Sequence, residues 1–596
     1  MEAPLTLEIN YQNLTIKISD KYNLIRERKD GNIKLTLENI SESVGYNYSK
    51  TYNSDDKDIN RIPFENEKNQ YTIEEEKNGK IKIIINAKYT IILDKHELTV
   101  NESILKLFNE LKMLRESNEE KDKKIEEMKK NINQIQQMNA ELTGFKNEIK
   151  VFYDVGQKGK YKIFGEKFVK ANKNNIELEI NGNRTELTHE YELSNENNSV
   201  KMIIKNNLTN LQSMFEGCNT LYNIEELKYL NTNDVEDYSK MFDGCSSLSK
   251  IKALENWNVF NGKNFSYMFR GCSSLPDIEP LKKWNVSQGR EFEYIFSECS
   301  KLEKIGPLAY WNVVNGSDFS GIFNGCSKLQ NIDPLKNWNV LNGNDFSGIF
   351  NGCSKLQNID PLKNWNVENS NLFNDMFKGC SELKTLEPLT NWNVSNCTDF
   401  SDMFEECSNI ESVKPLENWN ISNCTNFVRM FAECSKLSEI PLDKWNVSKC
   451  ISFNGMFNGC SQLKNIESLK NWDVSKGKDF TCLFMKCENL SNINPLKNWK
   501  FSNENDSNII FENFFRECSS LSEIEPIEGW NVSRVIKFEG MFADCKSLKK
   551  VEPIKSWNIS IGLKFKGMFK GCSSLSDLNV LENEWRAKNS NFVEYI

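Results

Sequence analysis

The chain has 596 residues, a formal net charge of −9, and 39% hydrophobic and 27% charged residues. That length and apolar content allow several domains with true cores. The acidic balance, without a long single-sign basic run, argues against a nucleic-acid or anionic-membrane partner, and no stretch approaches the ~18 apolar residues of a membrane-spanning helix. All 13 Trp and all 18 Cys lie beyond residue 217, which marks a first boundary in composition.

Residues 1–100 carry period-two apolar runs, Leu5 to Ile9, Leu14 to Ile18, Ile33 to Leu37, Ile81 to Ile85 and Tyr89 to Leu93, separated by polar stretches. Such alternation predicts half-buried strands and a small β-rich head, with Tyr46 to Asn66 as a long polar loop. Met1 to Ile9 has no basic region followed by an apolar core, and the last residues, Val-Glu-Tyr-Ile, make no lipidation box. A soluble chain outside the ordinary secretory route is the expectation.

Residues 101–150 fit a seven-residue seam running from Ile104 to Ile149. Its apolar members include Ile104, Leu107, Leu111, Leu114, Ile125, Met128, Ile132, Ile135 and Leu142. Sustained over more than six heptads, the pattern predicts an α-helical coiled coil of roughly 70 Å. Asn118 and Asn139 fall at equivalent seam positions, where a buried amide favours an in-register pair, so a parallel homodimer is expected. Lys121 and Lys146 in the seam leave open a single amphipathic helix packed on the head or the array.

Residues 151–205 alternate again, at Ile176-x-Leu178-x-Ile180 and Val200-x-Met202-x-Ile204. They are expected to form a β-rich cap over the open end of the repeat array that begins at residue 206.

From 206 to 585 the chain repeats itself. Cysteine recurs at 218, 245, 272, 299, 326, 353, 380, 407, 434, 460, 487, 518, 545 and 572, with a spacing of 27 broken only by one 26 and one 31. Asp318 to Val340 recurs letter for letter as Asp345 to Val367. Each unit holds the same apolar slots; in one copy they are Phe346, Ile349, Phe350, Cys353, Leu356, Ile359, Leu362, Trp365 and Val367. A unit this short cannot bury its slots alone, so copies must stack, each slot becoming a column. Leu356 and Ile359, bracketing two polar residues, predict a very short strand. Phe346-x-x-Ile349-Phe350-x-x-Cys353 predicts one helical or 3₁₀ turn opposite it. The fold class is therefore an α/β leucine-rich-repeat solenoid of about fourteen units, one short strand plus a short helical or 3₁₀ turn per coil, preceded by the head and the coiled coil. At ~4.8 Å per coil it would run roughly 65 to 70 Å. Residues 586–596 form a C-terminal tail.

Fourteen cysteines in register admit three readings: a metal column, a disulfide ladder, or reduced core. Zinc sites need clustered pairs, and the nearest two here are Cys482 and Cys487. Parallel stacked side chains hold Cβ atoms near ~4.8 Å, beyond the ~3.8 Å a disulfide prefers. Cys245, Cys272, Cys299, Cys326, Cys353 and Cys380 are accordingly expected as small buried apolar groups, and so many free thiols favour the cytoplasm. Ten of the tryptophans are followed by Asn. Asn258, Asn285, Asn339 and Asn366 are expected to form a structural amide ladder between coils, with a ligand-binding row as the alternative. Asp473 and Lys500 interrupt that pattern and predict a weaker stack near 470–510, beside the extra residues at 503–508.

The unit Met-Phe-x-x-Cys-Ser-x-Leu-x-x-Ile-x-Pro-Leu-x-x-Trp-Asn-Val-Ser has good copies at Met241 to Leu248 and Trp392 to Ser395. It resembles the repeat of BspA-type leucine-rich-repeat proteins, in the variant of mycoplasma-like surface proteins and large protist families. The resemblance implies the solenoid fold and, for function, a surface, adhesion or interaction role.

No G-x-x-x-x-G-K-[ST], G-x-S-x-G or H-E-x-x-H occurs, and His96 and His189 lie outside the repeats. No catalytic, cofactor-binding or metal-ligating residue is expected. The acids before proline, such as Glu279, Asp333, Asp360 and Glu552, recur beside Lys282, Lys336, Lys363 and Lys555 as a solvated face. The reading is a non-enzymatic protein-interaction scaffold for an unidentified protein partner, contacting it through residues such as Gln330-Asn331, Lys384-Thr385 and Lys549-Lys550. The alternative is a cell-surface adhesin exported without a visible signal, for which sequons such as Asn393-Val-Ser and Asn420-Ile-Ser would carry sugar.

Overall fold

The computed structural model describes residues 144–196, 198–502 and 508–594, together with the backbone of eight strands between residues 7 and 98. It divides into two units, Met1–Lys146 and Asn147–Ile596.

In the first unit the strands are β1 (Leu7–Asn10), β2 (Asn13–Ser19), β3 (Tyr22–Lys29), β4 (Asn32–Asn39), β5 (Gly45–Asn53), β6 (Tyr71–Glu75), β7 (Ile81–Ile85) and β8 (Tyr89–Leu98). They form one antiparallel sheet in the order β1-β2-β3-β4-β5-β8-β7-β6. Residues 46–53 of the expected 46–66 loop are thus strand: β5 pairs with both β4 and β8, its Tyr and Thr residues suiting a pleated ribbon. The seam residues Ile104 to Leu142 lie outside the described residues. At the end of that pattern the structure departs from it. Gly144 takes φ +75°, and Ile149, expected in the seam, lies in β9 (Glu148–Tyr153), where Ile149, Val151 and Tyr153 are buried in period-two alternation.

The second unit opens with a five-stranded antiparallel sheet, β12-β11-β14-β9-β15, built from β9, β11 (Ile176–Ile180), β12 (Asn183–Glu186), β14 (Ser199–Ile204) and β15 (Leu221–Asn223). A second pair joins β10 (Gly159–Lys162) to β13 (Glu190–Leu193), and helix α1 (Glu166–Asn172) lies between β10 and β11. Because β15 follows Cys218, the sheet is continuous with the first coil. Phe164 stacks on Phe168 and on Phe215 of that coil, and the Gly165 N–H donates to the Met214 carbonyl at 3.0 Å. Any Cβ at Gly165 would come within 2.0 Å of the Ser213 carbonyl oxygen.

The coil beginning at Asp345 shows how each unit is made. Asp345 forms isolated parallel bridges to Asp318 and Leu372. The N–H groups of Phe346, Gly348, Phe350 and Gly352 then donate to the carbonyls of Leu372, Asn374, Met376 and Lys378 in the next coil, at 3.1, 2.8, 3.0 and 2.7 Å. Between them Asn351 donates to Gly348 and Cys353 to Phe350 within the coil, both at 3.0 Å. Gly348 (φ +59°) and Gly352 (φ +73°) supply the left-handed residues of this zigzag. Phe346, Ile349, Phe350 and Cys353 all point inward and are fully buried. The coil-to-coil ladder therefore runs along the Phe-x-x-Ile-Phe-x-x-Cys segment, where a helical turn was expected. At Leu356–Ile359, where a strand was expected, both residues are buried but no strand forms; bridges occur at the equivalent corner only in a few coils, as at Asp277 with Lys304 and Ser412 with Glu439. The 3₁₀ turn comes later, at Asp360–Asn364, with Pro361 in its first turn, where a missing N–H costs nothing.

The columns run from coil to coil. Phe323, Phe350 and Phe377 stack at 5.8 and 5.7 Å between ring centroids, and Trp257 and Trp284 lie 6.4 Å apart with planes 1° from parallel. Near the longer insertion the tryptophan column persists, Trp499 and Trp530 donating to Leu469 and Leu496 carbonyls at 2.9 Å. There the other phenylalanine column, that of Phe346, turns: Phe511 meets Phe480 and Phe538 edge-on, while Phe484, Phe515 and Phe542 of the Phe350 column stay stacked. Helix α2 (Leu578–Lys588) follows the last coil, and its Trp585 stacks on Trp557.

Candidate functional site: the ladder face of the array

The inward residues are chemically quiet. Each expected cysteine is fully buried and its thiol donates to a phenylalanine carbonyl thirty residues earlier: Cys245 to Phe215 (3.2 Å), Cys272 to Phe242 (3.3 Å), Cys299 to Phe269 (3.1 Å), Cys326 to Phe296 (3.2 Å), Cys353 to Phe323 (3.2 Å) and Cys380 to Phe350 (3.3 Å). Burial pushes these thiols well above the ordinary cysteine range, which keeps them protonated and neither nucleophilic nor ligating. Cys397, Cys424 and Cys450 form a second buried set, Cys424 being pushed up to about 12 by burial. All 18 cysteines are free thiols. Among the described residues no group of three or more His, Cys, Asp or Glu could hold a metal ion.

The asparagines after tryptophan differ from the ladder expected of them. Asn258, Asn285, Asn339 and Asn366 are exposed, and each Oδ1 accepts the N–H two residues on, from Phe260, Ser287, Leu341 and Glu368 at 3.1 to 3.2 Å. They are Asx turns that close their own corner. Asn258 alone of the four also reaches another coil, through Asn233 at 2.9 Å. Two other groups tie the coils together. The tryptophan indole N–H donates to a leucine carbonyl of the preceding coil, as Trp257 to Leu227 at 2.8 Å and Trp338 to Leu308 at 2.8 Å. A second asparagine, three residues further on, reaches back to a backbone carbonyl, as Asn342 to Val314 at 2.8 Å and Asn369 to Leu341 at 2.9 Å. Composition pointed to the dipeptide; the bonding falls on its first residue and on a later one.

The acid-before-proline residues sit in the 3₁₀ turns, where Lys282 meets Glu279 at 3.9 Å and Lys555 meets Glu552 at 2.5 Å, both exposed pairs within one coil. Gln330, Asn331, Lys384, Thr385, Lys549 and Lys550 are exposed.

The informative surface is the ladder face. Its central column is occupied in turn by Ser213, Lys240, Tyr267, Tyr294, Gly321, Gly348, Asp375, Asp402, Arg429, Gly455, Cys482, Asn513, Gly540 and Gly567, and every one has positive φ, between +49° and +63°. Glycine adopts that backbone without strain, whereas other side chains there cost of order 1 kcal/mol or more each. Nine of the fourteen positions nevertheless carry side chains, including two tyrosines and an arginine. Tyr267 and Tyr294 stack at 5.2 Å with planes 5° apart. Arg270 packs on Tyr267 and holds Asp243 with two bonds of 2.8 Å. Further along, Lys378 pairs with Asp375, Asp402 and Glu405 at 3.5, 3.3 and 2.6 Å, and Arg429 reaches Asp402 at 2.6 Å. Burial works against the Asp402 carboxylate, but its bond with Glu405 and the charges of Lys378 and Arg429 hold it below its usual value; burial and Asp402 push Glu405 up. No sequence signal named this face, because its members fall on one line only once the ladder segment is correctly placed.

One family model matches the chain over four consecutive stretches, 187–306, 301–414, 409–523 and 510–595; its description is Mycoplasma protein of unknown function, DUF285. No curated protein and no solved structure matches. Among the described residues no helix is long and apolar enough to cross a membrane.

Proposed function

We propose, from the premise that the chain belongs to the DUF285 family of tandem repeats, that it is a non-enzymatic protein-interaction scaffold of BspA-like leucine-rich-repeat type. Its array offers a recognition surface, and its segment 101–143 pairs two copies, doubling the valency. One observation carries the reading. The inward columns keep the same or a similar apolar residue from coil to coil, while the central column of the ladder face changes from Lys to Tyr to Gly to Asp to Arg at a strained backbone position where glycine would serve the fold. Apart from buried Ser213 and Asp402, the strained side chains are half-buried or exposed, and strain retained at such positions points to binding. The free, buried thiols support a reducing compartment, so the cytoplasm is the proposed location.

Affinity capture from native lysate tests this with the full chain and a flattened variant, Tyr267→Gly, Tyr294→Gly, Asp375→Gly and Arg429→Gly. Each change installs the residue that the column already uses elsewhere. The expected result is a partner retained by the native chain and lost by the variant; equal retention by both would contradict the reading.

A further inference from the structure

The tyrosine pair of the ladder face is unequally served at its two ends. On the N-terminal side the chain's own cations cover it: the Lys240 ammonium lies 5.2 Å from the Tyr267 ring centroid and the Arg270 guanidinium 4.9 Å. On the C-terminal side the column continues with Gly321 and Gly348. The Tyr294 ring lies over Gly321, where any Cβ would come within 2.3 Å of it. Above Gly348 a Cβ would meet only ordinary contacts, with Asn324 Nδ2 at 3.6 Å, Asn351 Cβ at 3.7 Å and Asp375 Cβ at 3.9 Å. The next side chain in the column is Asp375. At ~4.8 Å per coil, one level is left between the aromatic face and that carboxylate.

The surroundings are negative in excess. Glu291, Asp318 and Asp345 follow one another in the neighbouring bridge column, and Glu293 stands beside them. Among the described residues none of Glu293, Asp318 and Asp345 has an ion-pair partner, and Lys378 is shared between Asp375 and two further acids. Burial, then Asp318, Glu291 and Asp345, pushes the Glu293 carboxyl up. Burial raises the Tyr294 hydroxyl too, followed by Asp345, Asp375, Glu293 and Asp318, so four carboxylates act on the rim of this ring. The doubled coil Asp318–Val340 and Asp345–Val367 is what makes Gly321 and Gly348 consecutive.

We propose that the level above Gly348 receives an arginine side chain from a basic segment of a partner protein, its guanidinium stacked on Tyr294 and paired with Asp375 and the adjoining carboxylates. The guanidinium is planar, stacks on aromatic faces and forks onto carboxylates, whereas a lysine ammonium is a strongly hydrated point charge without a face. The arrangement repeats at the C-terminal end of the stack what Arg270 does within the chain at the other end. The proposal rests on the scaffold reading and names the chemistry of the partner.

The test uses the full chain and fluorescence anisotropy with a labelled arginine–serine peptide, and a lysine–serine peptide of the same length beside it. Gly348→Tyr fills the level with a residue the column already bears twice at the same φ. Glu293→Ser, Asp318→Asn and Asp345→Asn together remove charge using residues that stand at equivalent positions, Ser266, Asn264 and Asn426. Thermal melts of both variants check folding. The expected result is saturable binding of the arginine peptide, weakened at least tenfold in each folded variant, and clearly weaker binding of the lysine peptide. Lack of saturable binding, unchanged affinity in Gly348→Tyr, equal affinity for the two peptides, or self-association of the chain that Gly348→Tyr abolishes would each overturn it. Should Gly348→Tyr still retain the partner that the flattened variant loses, the arginine site fails and the scaffold stands.

Discussion

Replacing Phe350 by alanine probes the middle of the array where its column is complete. Its ring is fully buried between Phe323 at 5.8 Å and Phe377 at 5.7 Å. Truncating a buried phenylalanine costs about 3 to 5 kcal/mol, and each lost ring pair falls within that range at ~0.5 to 1.5 kcal/mol. Phe569 occupies the same slot in the last coil but is half-buried, with one stacked neighbour, Phe542 at 5.6 Å. The same truncation there removes one ring pair and less buried area, so its cost is roughly half. Because each coil contacts only its neighbours, the loss at Phe350 also weakens the junctions on both sides. Urea unfolding of the full chain gives the two costs, and hydrogen exchange locates them: in Phe350→Ala the amides of Phe323, Phe350 and their ladder neighbours exchange faster, while those of the terminal coils keep their protection. Equal costs at 350 and 569, or exchange that accelerates uniformly along the array, would refute nearest-neighbour stacking as the source of stability.

Single contacts give further expected outcomes. Trp392→Phe removes the indole donor to the Leu362 carbonyl at 3.0 Å, while that carbonyl keeps its bond from the Trp365 N–H, so the lost hydrogen bond costs about 0.5 to 1.5 kcal/mol in urea unfolding; a neutral result would discount the indole ladder. Thiol titration without reductant is expected to return 18 thiols after denaturation and, in the native chain, slow reaction confined to half-buried Cys482 and Cys572, the latter pushed up to about 11 by burial; fewer than 18 would reveal disulfides. Glu293 is raised in the folded chain by burial and neighbouring acids. A raised carboxyl binds its proton more tightly when folded, so it lowers stability as pH rises through the interval between its unfolded and folded values, and the loss persists above. Glu293→Ser should therefore raise the melting temperature at about pH 7 and lose that advantage below the ordinary glutamate range; an advantage independent of pH would contradict this electrostatic origin.

The repeat length, the inward slots and the buried cysteines were legible because stacking demands the same apolar residue at the same place in every coil. The assignment of local structure within the coil was less so. Phe346, Ile349, Phe350 and Cys353 are spaced by three and four, like a helix face, yet they arise from successive turns whose alternate N–H groups point to the next coil. A period taken from apolar residues cannot distinguish one turn of helix from a ribbon of turns with left-handed residues between them. Asn366 was read as a ladder because it recurs, but recurrence fixes the need and not the partner: its Oδ1 serves Glu368 in its own coil, while Trp365 and Asn369 bridge outward. Ile149 fitted a heptad by spacing and belongs to a strand, its burial shared with Val151 and Tyr153. Tyr267 and Tyr294 drew no notice in the sequence because each is one of the two variable residues between Phe and Met or Ile. Only the register of the ladder places them face to face.

Deletion of residues 345–371 tests most directly whether the coils stand only by leaning on one another. Removing these 27 residues joins Asn344 to Leu372 and brings the coil of Phe319 against that of Phe373 in the same register, since Asp345 and Leu372 both belong to the bridge column. Removal of 345–358 instead takes half a coil and leaves every later column out of line. The expected result, by thermal melting of the two full-chain deletions, is a cooperative transition within a few degrees of the native chain for the whole-coil deletion and none for the half-coil deletion. Equal damage from both would show that the coils are not interchangeable stacking units.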